Sequence, residues 1–358
     1  MVIGIDGLVF QTKLTGVGKY YLGILNEIRI AVPEAQFILF SNKSVPYLPD
    51  EWAGTKLVID SGYFEKMKYI IWLKLFAGRL ICQHNIDFYF SCNTFLPRLL
   101  RSVKAIGIVH DLNYVFAPET MPFSNYLAHK LFMKSDVSKA DFLITNSYAT
   151  EKKAQQILNV VCDEVVYPKI SPVYRPMPVE IVTPYLQANG INFPYILSVA
   201  TLEPRKNIHL TIKSFLELKD QGELAGFKMI LVGGKGWKNK EVEELIAKHD
   251  DVIVSLGYVS DEFLAYLYNG ASLFVFPSKY EGFGIPVREA IQSGCKVLAS
   301  NIDELIEVGS PEAFHFDLQA VHAYTESIKK TLSDSSHRQR NYSDSKISAL
   351  TGFLRSSG

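Results

Sequence analysis

Two carboxylates, Glu281 and Glu289, stand eight positions apart with a glycine-rich stretch between them. The stretch follows a short apolar run and continues through Gly282, Gly284 and Pro286, an order typical of a strand, a loop and a helix start. We therefore expect Glu281 on the loop and Glu289 inside the helix. Glycines let a ligand approach the backbone, and N–H groups at a helix start donate to hydroxyl or phosphate oxygens. Such a pocket suits a polyol or a nucleotide sugar, although the spacing alone is more often that of solvated acids near a helix N-terminus.

The longer string PSKYEGFGIPVREAIQSGCKVLASN, residues 277–301, is far more specific than the two glutamates. It resembles the retaining nucleotide-sugar glycosyltransferases of family 4, whose hallmark is a glutamate, seven residues and a second glutamate. The resemblance covers essentially the whole chain, and its motifs are denser in the second half. It implies the GT-B fold and a likeness to bacterial mannosyltransferases of surface polysaccharide synthesis.

A second constellation, TLEPRKN at residues 201–207, places Arg205 and Lys206 between a strand and a helix for which Asn207 is the expected cap. Two cations beside the positive end of a helix repel it, and an anion would relieve that repulsion. A solvated pair of loop charges is the alternative. In the resembled family, this arginine and lysine hold the diphosphate of the donor and belong with the catalytic residues.

The resemblance also implies roles for the residues around the glutamate pair. The donor sugar would contact Glu281 and the backbone of Phe283 and Gly284, and the ribose hydroxyls would contact Glu289. Gly233 and Gly234 end the strand run KMILVGG and would border the nucleotide. A simple turn explains these two glycines equally well.

A glycine loop in the first half, TGVGKY, follows the first strand and opens a helix. Gly16 and Gly18 would let the backbone approach a diphosphate at the helix N-terminus. A dinucleotide-binding fingerprint requires a third glycine where the chain has Tyr21, which weakens the oxidoreductase alternative. On its own the loop is as consistent with a tight structural turn as with a ligand loop, and its likeness to the family's glycine loop favours the latter.

Polar residues follow two further strands of the first half. His110 and Asp111 end the run KAIGIVHD, and Asn146 and Ser147 end DFLITNS. Side chains at the carboxyl ends of parallel strands face the ligand site of a doubly wound domain. From the residues alone, a histidine bonded to backbone and an aspartate that caps the next turn are favoured for the first pair, and a helix cap explains the second pair equally well. The resemblance places the histidine beside the donor sugar and the other three on the acceptor side.

The chain has 358 residues, which suits two domains, and short apolar strands alternate with amphipathic stretches in both halves. We predict an α/β protein of two facing, Rossmann-like, doubly wound domains with a cleft between them. Prolines at 168, 172, 176 and 178 mark the linker. The predicted ranges are 1–175 for the acceptor domain, 185–338 for the nucleotide-sugar domain, and 339–358 for a helix that crosses back to the first domain.

Composition excludes several classes of protein. Lysine plus arginine equals aspartate plus glutamate at 37 each, so no nucleic-acid partner is indicated. The four cysteines show no metal or disulfide spacing, and no apolar run could span a bilayer, which predicts a cytoplasmic protein. Residues 66–104 hold seven basic residues against Asp87 alone, and within them KMKYIIWLKLFAGRL mixes cations with apolar side chains. This segment is equally consistent with a core helix and with one resting on the anionic inner face of the plasma membrane.

The resemblance implies transfer of a hexose with retained configuration to a glycan or polyprenyl-linked glycan acceptor, in O-antigen or lipopolysaccharide synthesis. The form TLEPRKN favours GDP-mannose as donor, with UDP-hexoses and dTDP-rhamnose as alternatives. No Asp-X-Asp occurs and the eight histidines lack metal-ligand spacing, so we expect neither metal nor cofactor. The competing classes are a two-domain nucleotide-binding oxidoreductase and a non-catalytic sugar-nucleotide sensor.

Overall fold

The chain folds into two compact units in a computed structural model that describes residues 1–100, 102–236, 239–318, 321–334 and 347–357. The first unit holds residues up to Tyr114, residues 123–169 and the C-terminal helix. Among the described residues, the second holds 115–122 and 170–334. Positions 338 and 339, where the second predicted range ends and the tail begins, lie outside the described residues.

The first unit is built on a parallel sheet of seven strands in the order β3-β2-β1-β4-β5-β6-β7. Apolar runs such as VIGID and FLIT are buried almost throughout, because helices cover both faces of a parallel sheet. The strands are β1 (Val2–Asp6), β2 (Gln36–Ser41), β3 (Lys56–Ile59), β4 (Phe88–Phe90), β5 (Lys104–Val109), β6 (Phe142–Thr145) and β7 (Glu164–Val165).

Seven helices accompany this sheet in the described part of the chain, and the fourth runs into the second unit. They are α1 (Gly16–Ala31), α2 (Tyr69–Trp72), α3 (Gly78–Cys82), α4 (Asn113–Phe116), α5 (Phe123–Ala128), α6 (Lys134–Val137) and α7 (Tyr148–Leu158). A π-helical turn, Leu73–Ala77, joins α2 to α3, and another, His129–Met133, joins α5 to α6. Each group therefore forms one continuous helical segment.

The second unit contains a parallel sheet of six strands in the order β10-β9-β8-β11-β12-β13. The strands are β8 (Tyr195–Val199), β9 (Lys228–Val232), β10 (Ile253–Gly257), β11 (Leu273–Phe276), β12 (Val297–Ser300) and β13 (Phe314–Phe316). The sequence prediction missed β13, an edge strand of three residues, FHF, that pairs only with β12 among the described strands. Its helices are α8 (Val179–Ala188), α9 (Ile208–Asp220), α10 (Lys240–Lys248), α11 (Asp261–Gly270), α12 (Ile285–Gln292), α13 (Asp303–Gly309) and α14 (Val321–Ser333).

The last helix, α15 (Ser348–Ser357), packs into the core of the first unit, where Leu350 and Leu354 are buried. Its first turn is held by Glu164, whose carboxylate accepts from the backbone N–H groups of Ala349 at 2.9 Å and Leu350 at 3.0 Å. A carboxylate there complements the positive helix end. The sequence predicts helix from Tyr342 to Leu354; residues 342–346 lie outside the described part, and the helix continues to Ser357.

Both units confirm the predicted α/β class with a doubly wound parallel sheet. In each sheet the strand order reverses once, between β1 and β4 in the first unit and between β8 and β11 in the second. Ligands of such sheets bind outside the carboxyl ends of the strands at this switch point. None of the described helices combines the length and hydropathy that crossing a bilayer requires.

Candidate active site

The switch point of the second unit brings together the two constellations of the sequence. Arg205 and Lys206 lie on a 3₁₀ turn, Pro204–Lys206, after β8, and Glu281 lies on the loop after the neighbouring strand β11. Arg205 Nη1 is 2.8 Å from Glu281 Oε2, and Lys206 Nζ is 2.5 Å from Glu281 Oε1. One carboxylate therefore bridges both cations.

Glu203 completes this ion cluster, and sequence reasoning missed it. Arg205 donates to Glu203 Oε1 from Nε at 3.1 Å and from Nη2 at 2.8 Å, and its Nη1 also donates to the Tyr280 carbonyl at 2.8 Å. Exposed fractions of the four charged side chains run only from 5% to 16%. The interpretation of a solvated loop pair is therefore wrong. The only signal in the sequence was an acid two residues before Arg205.

The cluster shifts the titration of its members. Burial opposes ionisation of Glu281, but the charges of Arg205 and Lys206 outweigh it and lower its pKa to about 2. Burial, the largest influence on Lys206, lowers the pKa of that ammonium even though Glu281 stabilises its charge. Glu281 is therefore an anion at neutral pH, held on both oxygens, in a cluster whose formal charges balance.

Asn207 corrects one expectation about this segment. It lies in the left-handed region with φ 55°, and its side chain makes no capping hydrogen bond to α9. A side-chain cap requires an extended N-cap backbone. The residue instead reverses the chain between the 3₁₀ turn and α9, and its N–H donates to the Pro204 carbonyl at 3.2 Å.

Glu289 lies inside α12, as predicted, and is 9% exposed. The Tyr268 hydroxyl on α11 donates to its Oε2 at 3.1 Å, and the Tyr174 ring packs edge-on against Tyr268, with centroids 5.9 Å apart. Burial and the Glu289 charge raise the pKa of both phenols, so both hydroxyls keep their protons. Neither tyrosine was among the predicted site residues.

Backbone geometry explains the glycines of this unit. Gly284 precedes α12 with φ +103°, and a Cβ there would meet Leu305 Cδ2 at 2.4 Å. Phe283 beside it is 3% exposed. Gly233 ends β9 with φ +141°, and a Cβ would lie 2.0 Å from the Ala200 carbonyl oxygen. A Cβ on Gly234 would meet no atom within 4 Å, so of these two neighbouring glycines only Gly233 is required by packing.

The glycine loop of the first unit leads into α1, which begins at Gly16 after Thr15. A Cβ on Gly18 would lie 2.8 Å from Leu14 Cδ2, so this glycine lets the loop fold against its own helix. The Tyr20 hydroxyl donates to the Val166 carbonyl at 2.8 Å and ties the helix start to the end of β7.

His110 follows β5 and is oriented by two backbone contacts. The His110 Nε2 atom is 2.7 Å from the Cys92 carbonyl oxygen. The His110 backbone carbonyl accepts from Asn146 Nδ2 at 2.9 Å. Burial lowers the pKa of the imidazole. A neutral ring that donates from Nε2 presents Nδ1 as an acceptor. The edge of the ring faces Tyr20, with centroids 5.6 Å apart.

The remaining predicted residues of this unit have local roles. Ser147 Oγ accepts from the Thr150 N–H at 3.0 Å and caps α7, which agrees with the helix-cap alternative. Asp111 Oδ1 accepts from the Asn113 N–H at 3.0 Å and holds the turn that begins α4. Throughout the described ranges, no group of three histidine, cysteine or acidic side chains is arranged to hold a metal ion.

Comparisons with known proteins agree with this geometry. Residues 186–346 match the family of glycosyl transferases group 1. The chain is 28% identical to O-antigen chain mannosyltransferase B of Escherichia coli, over 93% of this chain and 92% of that protein. It is 27% identical to O-antigen chain mannosyltransferase RfbU of Salmonella typhimurium, over 65% of this chain and 63% of that one.

Two solved structures share the fold. WaaG, a glycosyltransferase involved in lipopolysaccharide biosynthesis, gives a TM-score of 0.71 at 17% identity, over 94% of this chain and 91% of that one. Sucrose-phosphate synthase from Thermosynechococcus elongatus gives 0.70 at 18% identity, over 93% and 90%. At such low identity these likenesses establish the fold of the chain and nothing finer.

Proposed function

We propose that this chain is a glycosyltransferase of group 1 that transfers mannose from GDP-mannose, with retained configuration, to a glycan acceptor of a bacterial surface polysaccharide. The mannosyl and O-antigen assignments are supported by the names of its two O-antigen relatives. The observation that carries the proposal is the ion cluster of Arg205, Lys206 and Glu281 at the switch point of a doubly wound sheet.

The proposed reaction uses the cations of the cluster and no metal. The bond between C1 of the sugar and the diphosphate oxygen breaks, and both electrons leave with the nucleoside diphosphate. The acceptor oxygen bonds to C1 on the same face, and its proton passes to the departing phosphate oxygen. Arg205 and Lys206 stabilise the charge that develops on the leaving group. Glu281 would exchange its contacts with these cations for hydroxyls of the sugar, and Glu289, oriented by Tyr268, would hold the ribose.

We assign to His110, in the first unit, the role of orienting a hydroxyl group of the substrates. Its Nε2 is engaged by the Cys92 carbonyl, so the neutral ring offers Nδ1 as a hydrogen-bond acceptor. An acceptor atom can orient a hydroxyl without removing its proton, which leaves proton transfer to the phosphate. Asn146 would support this arrangement through the backbone of His110.

A donor panel tests the proposal. Purified protein is mixed with GDP-mannose, UDP-hexoses, dTDP-rhamnose or NAD, and melting temperature and donor hydrolysis are recorded with and without EDTA. We expect GDP-mannose to raise the melting temperature and to be consumed equally with EDTA present, because a ligand of the folded state stabilises it. A response to another sugar nucleotide alone would refute mannose, and tight binding of NAD alone would favour the oxidoreductase class. Binding without turnover on any glycan acceptor would favour a sensor.

We further propose that the first unit rests on an anionic membrane from the cytoplasmic side. Its two π-interrupted helical segments, residues 69–82 and 123–137, touch where Lys74 pairs with Asp136 and lies over the Phe132 ring, 5.1 Å from its centroid. Large apolar side chains stand exposed on both segments around this contact. This apolar surface consists of Ile71, Leu75, Phe76, Phe123, Leu127, Leu131 and Phe132, with exposed fractions from 36% to 75%.

Within these segments, some residues fit the core-helix alternative and others fit the membrane alternative. Trp72 and Leu73 are fully buried and belong to the core, as the core-helix alternative expects of this segment. Lys74 is bound to Asp136 and to the Leu96 carbonyl rather than solvated. Arg101, counted in the basic segment, lies outside the described residues. The exposed cations on or next to these two segments include Lys68, Arg79, Lys130 and Lys134.

Charge favours a lipid partner for this apolar surface. Residues 66–86 and 123–135 contain no acidic residue, and each exposed lysine or arginine near an anionic leaflet contributes about 1 kcal/mol. We expect co-sedimentation with vesicles that contain phosphatidylglycerol, weaker binding at high salt, and no binding to phosphatidylcholine alone. Changing Lys68, Arg79, Lys130 and Lys134 to glutamine should abolish it. Matched changes at the exposed Lys152, Lys213, Lys240 and Lys248 should not, and equal effects of both sets would contradict the proposal.

A further inference from the structure

Asp6, the last residue of β1, is a fully buried carboxylate at the switch point of the first sheet. Its Oδ1 accepts from the Leu8 N–H at 3.0 Å and from the Tyr69 hydroxyl. Its Oδ2 lies 3.3 Å from Ser91 Oγ, just beyond the end of β4. Within the described residues, Asp6 forms no ion pair, and burial raises the pKa of its carboxyl group. A carboxyl group buried without a cation is costly and calls for a reason.

The turn that Asp6 contacts is the one that orients His110. Ser91 Oγ donates to the Phe95 carbonyl at 2.8 Å, and the Phe95 N–H donates to Asn93 Oδ1 at 2.7 Å, so residues 91–95 form a closed turn. The Cys92 carbonyl projects from this turn and accepts from His110 Nε2 at 2.7 Å. Ser91, which contacts Asp6, directly precedes Cys92 in the chain. The turn therefore connects the end of β1 to the carbonyl that binds His110.

We propose that Asp6 is a positioning residue for His110, which it holds in one tautomer through the 91–95 turn. Loss of Asp6 frees Ser91 from the end of β1, and the turn that carries the Cys92 carbonyl, which selects the Nε2–H tautomer, is then no longer held there. The imidazole then exchanges its proton between both nitrogens, and Nδ1 is an acceptor for only part of the time. The catalytic consequence rests on the role proposed for His110, whereas the control of its tautomer does not.

The tautomer is measured by side-chain ¹⁵N NMR on protein labelled at histidine, with the His110 signals identified from a His110→Gln variant. We expect two widely separated ¹⁵N shifts in the wild type and partly converged shifts in Asp6→Ala. Asp6→Asn keeps the size of the side chain: its amide oxygen can accept from Leu8 and Tyr69, and its amide nitrogen can donate to Ser91 Oγ, so it should keep the wild-type shifts. The matched control is Asp87→Ala, which removes a carboxylate of the same unit that accepts from the Val2 N–H at 2.7 Å, at the opposite end of β1 from the 91–95 turn.

Turnover is measured on the same proteins. Asp6→Ala should lower kcat at least tenfold with KM within threefold, whereas Asp6→Asn should stay within threefold of wild type. If Asp6→Ala does not fold, Ser91→Ala removes the same link and should converge the shifts. Unchanged His110 shifts in the folded variant, or equal convergence in Asp87→Ala, would overturn the inference. If the wild type uses no sugar nucleotide, the proposed function fails while the NMR test still decides the role of Asp6.

Discussion

Glu281→Gln is the substitution that tests the ion cluster most directly. The wild-type cluster balances Arg205 and Lys206 with Glu203 and Glu281, all with side chains at most 16% exposed. The amide keeps the size of the carboxylate and can still accept from Lys206, but it removes one negative charge. A diphosphate would then meet a cluster with a net positive charge. We expect GDP to bind more tightly and sugar transfer to be slower.

The magnitude follows from the contacts. A phosphate in contact with Arg205 lies roughly 7 Å from the carboxylate on its other side, where one unit charge is worth about 2 kcal/mol at an effective dielectric constant of about 20. That energy corresponds to roughly 30-fold in affinity. Salt ions reduce the gain at groups that retain some exposure, so we expect about tenfold tighter GDP binding. Loss of the sugar contacts assigned to Glu281 should lower turnover at least tenfold, or about 1.4 kcal/mol.

Calorimetry with GDP at fixed ionic strength and initial rates with GDP-mannose measure the two effects. Glu203→Gln is the matched control, because it removes a carboxylate from Arg205 without touching Lys206. It should tighten GDP binding by a similar factor and slow transfer far less. The reasoning is refuted if Glu281→Gln leaves GDP affinity unchanged or weakens it, since the carboxylate would then not compete with the diphosphate for the cations.

Three further predictions concern stability and donor binding. The pKa of Glu281 is lowered from 4.5 to about 2 in the folded state, so its ionisation adds about 3 kcal/mol to the free energy of unfolding above pH 4.5. This contribution is lost as the pH falls towards 2. In urea unfolding, the difference in unfolding free energy between wild type and Glu281→Gln should therefore shrink over that range. Tyr268→Phe removes the 3.1 Å hydrogen bond to Glu289 and should weaken GDP binding about fivefold, by roughly 1 kcal/mol; unchanged affinity would separate Glu289 from the ribose. Gly233→Ala should lower the unfolding free energy by at least about 2 kcal/mol, because Gly233 has a φ of +141° and an added Cβ would lie 2.0 Å from the Ala200 carbonyl oxygen. Gly234→Ala should cost little stability and weaken only donor binding. Equal unfolding midpoints for the two variants would contradict this.

The sequence identified both constellations of the second unit but not the bond between them. Arg205 and Glu281 are separated by 76 positions, and their contact depends on β8 and β11 being neighbours in the sheet. Hydrophobic patterning predicts that each strand exists, whereas strand order is decided by packing of the whole unit. Glu203 was overlooked for the same reason, because its partner is defined by the turn at Pro204–Lys206 and not by a pattern.

Local backbone conformation is the second property that could not be predicted from the sequence. Asparagine before a helix is most often a cap, and only the left-handed φ of Asn207 shows that here it reverses the chain. Along residues 69–77 the sequence shows an apolar, basic run, but not that Trp72 points into the core while Leu75 is 69% exposed. The π-helical turn Leu73–Ala77 changes the periodicity there, so helical spacing could not assign the faces. Asp6 gave no signal because two of its partners, Tyr69 and Ser91, come from distant segments.

Both switch points carry the same physical device, a buried carboxylate that holds mobile groups in place before a ligand arrives. In the second unit, Glu281 lies between Arg205 and Lys206 and keeps two like charges at hydrogen-bonding distance from one partner. Without it the cations would repel each other and take solvated rotamers, and a diphosphate would have to order them at an entropic cost. A ligand that brings its own anionic oxygens replaces Glu281 at a site already assembled, because the cations need not move far to meet it. In the proposed function, the carboxylate would weaken binding of the diphosphate but preserve the geometry that the transition state requires, a balance that favours turnover over tight binding.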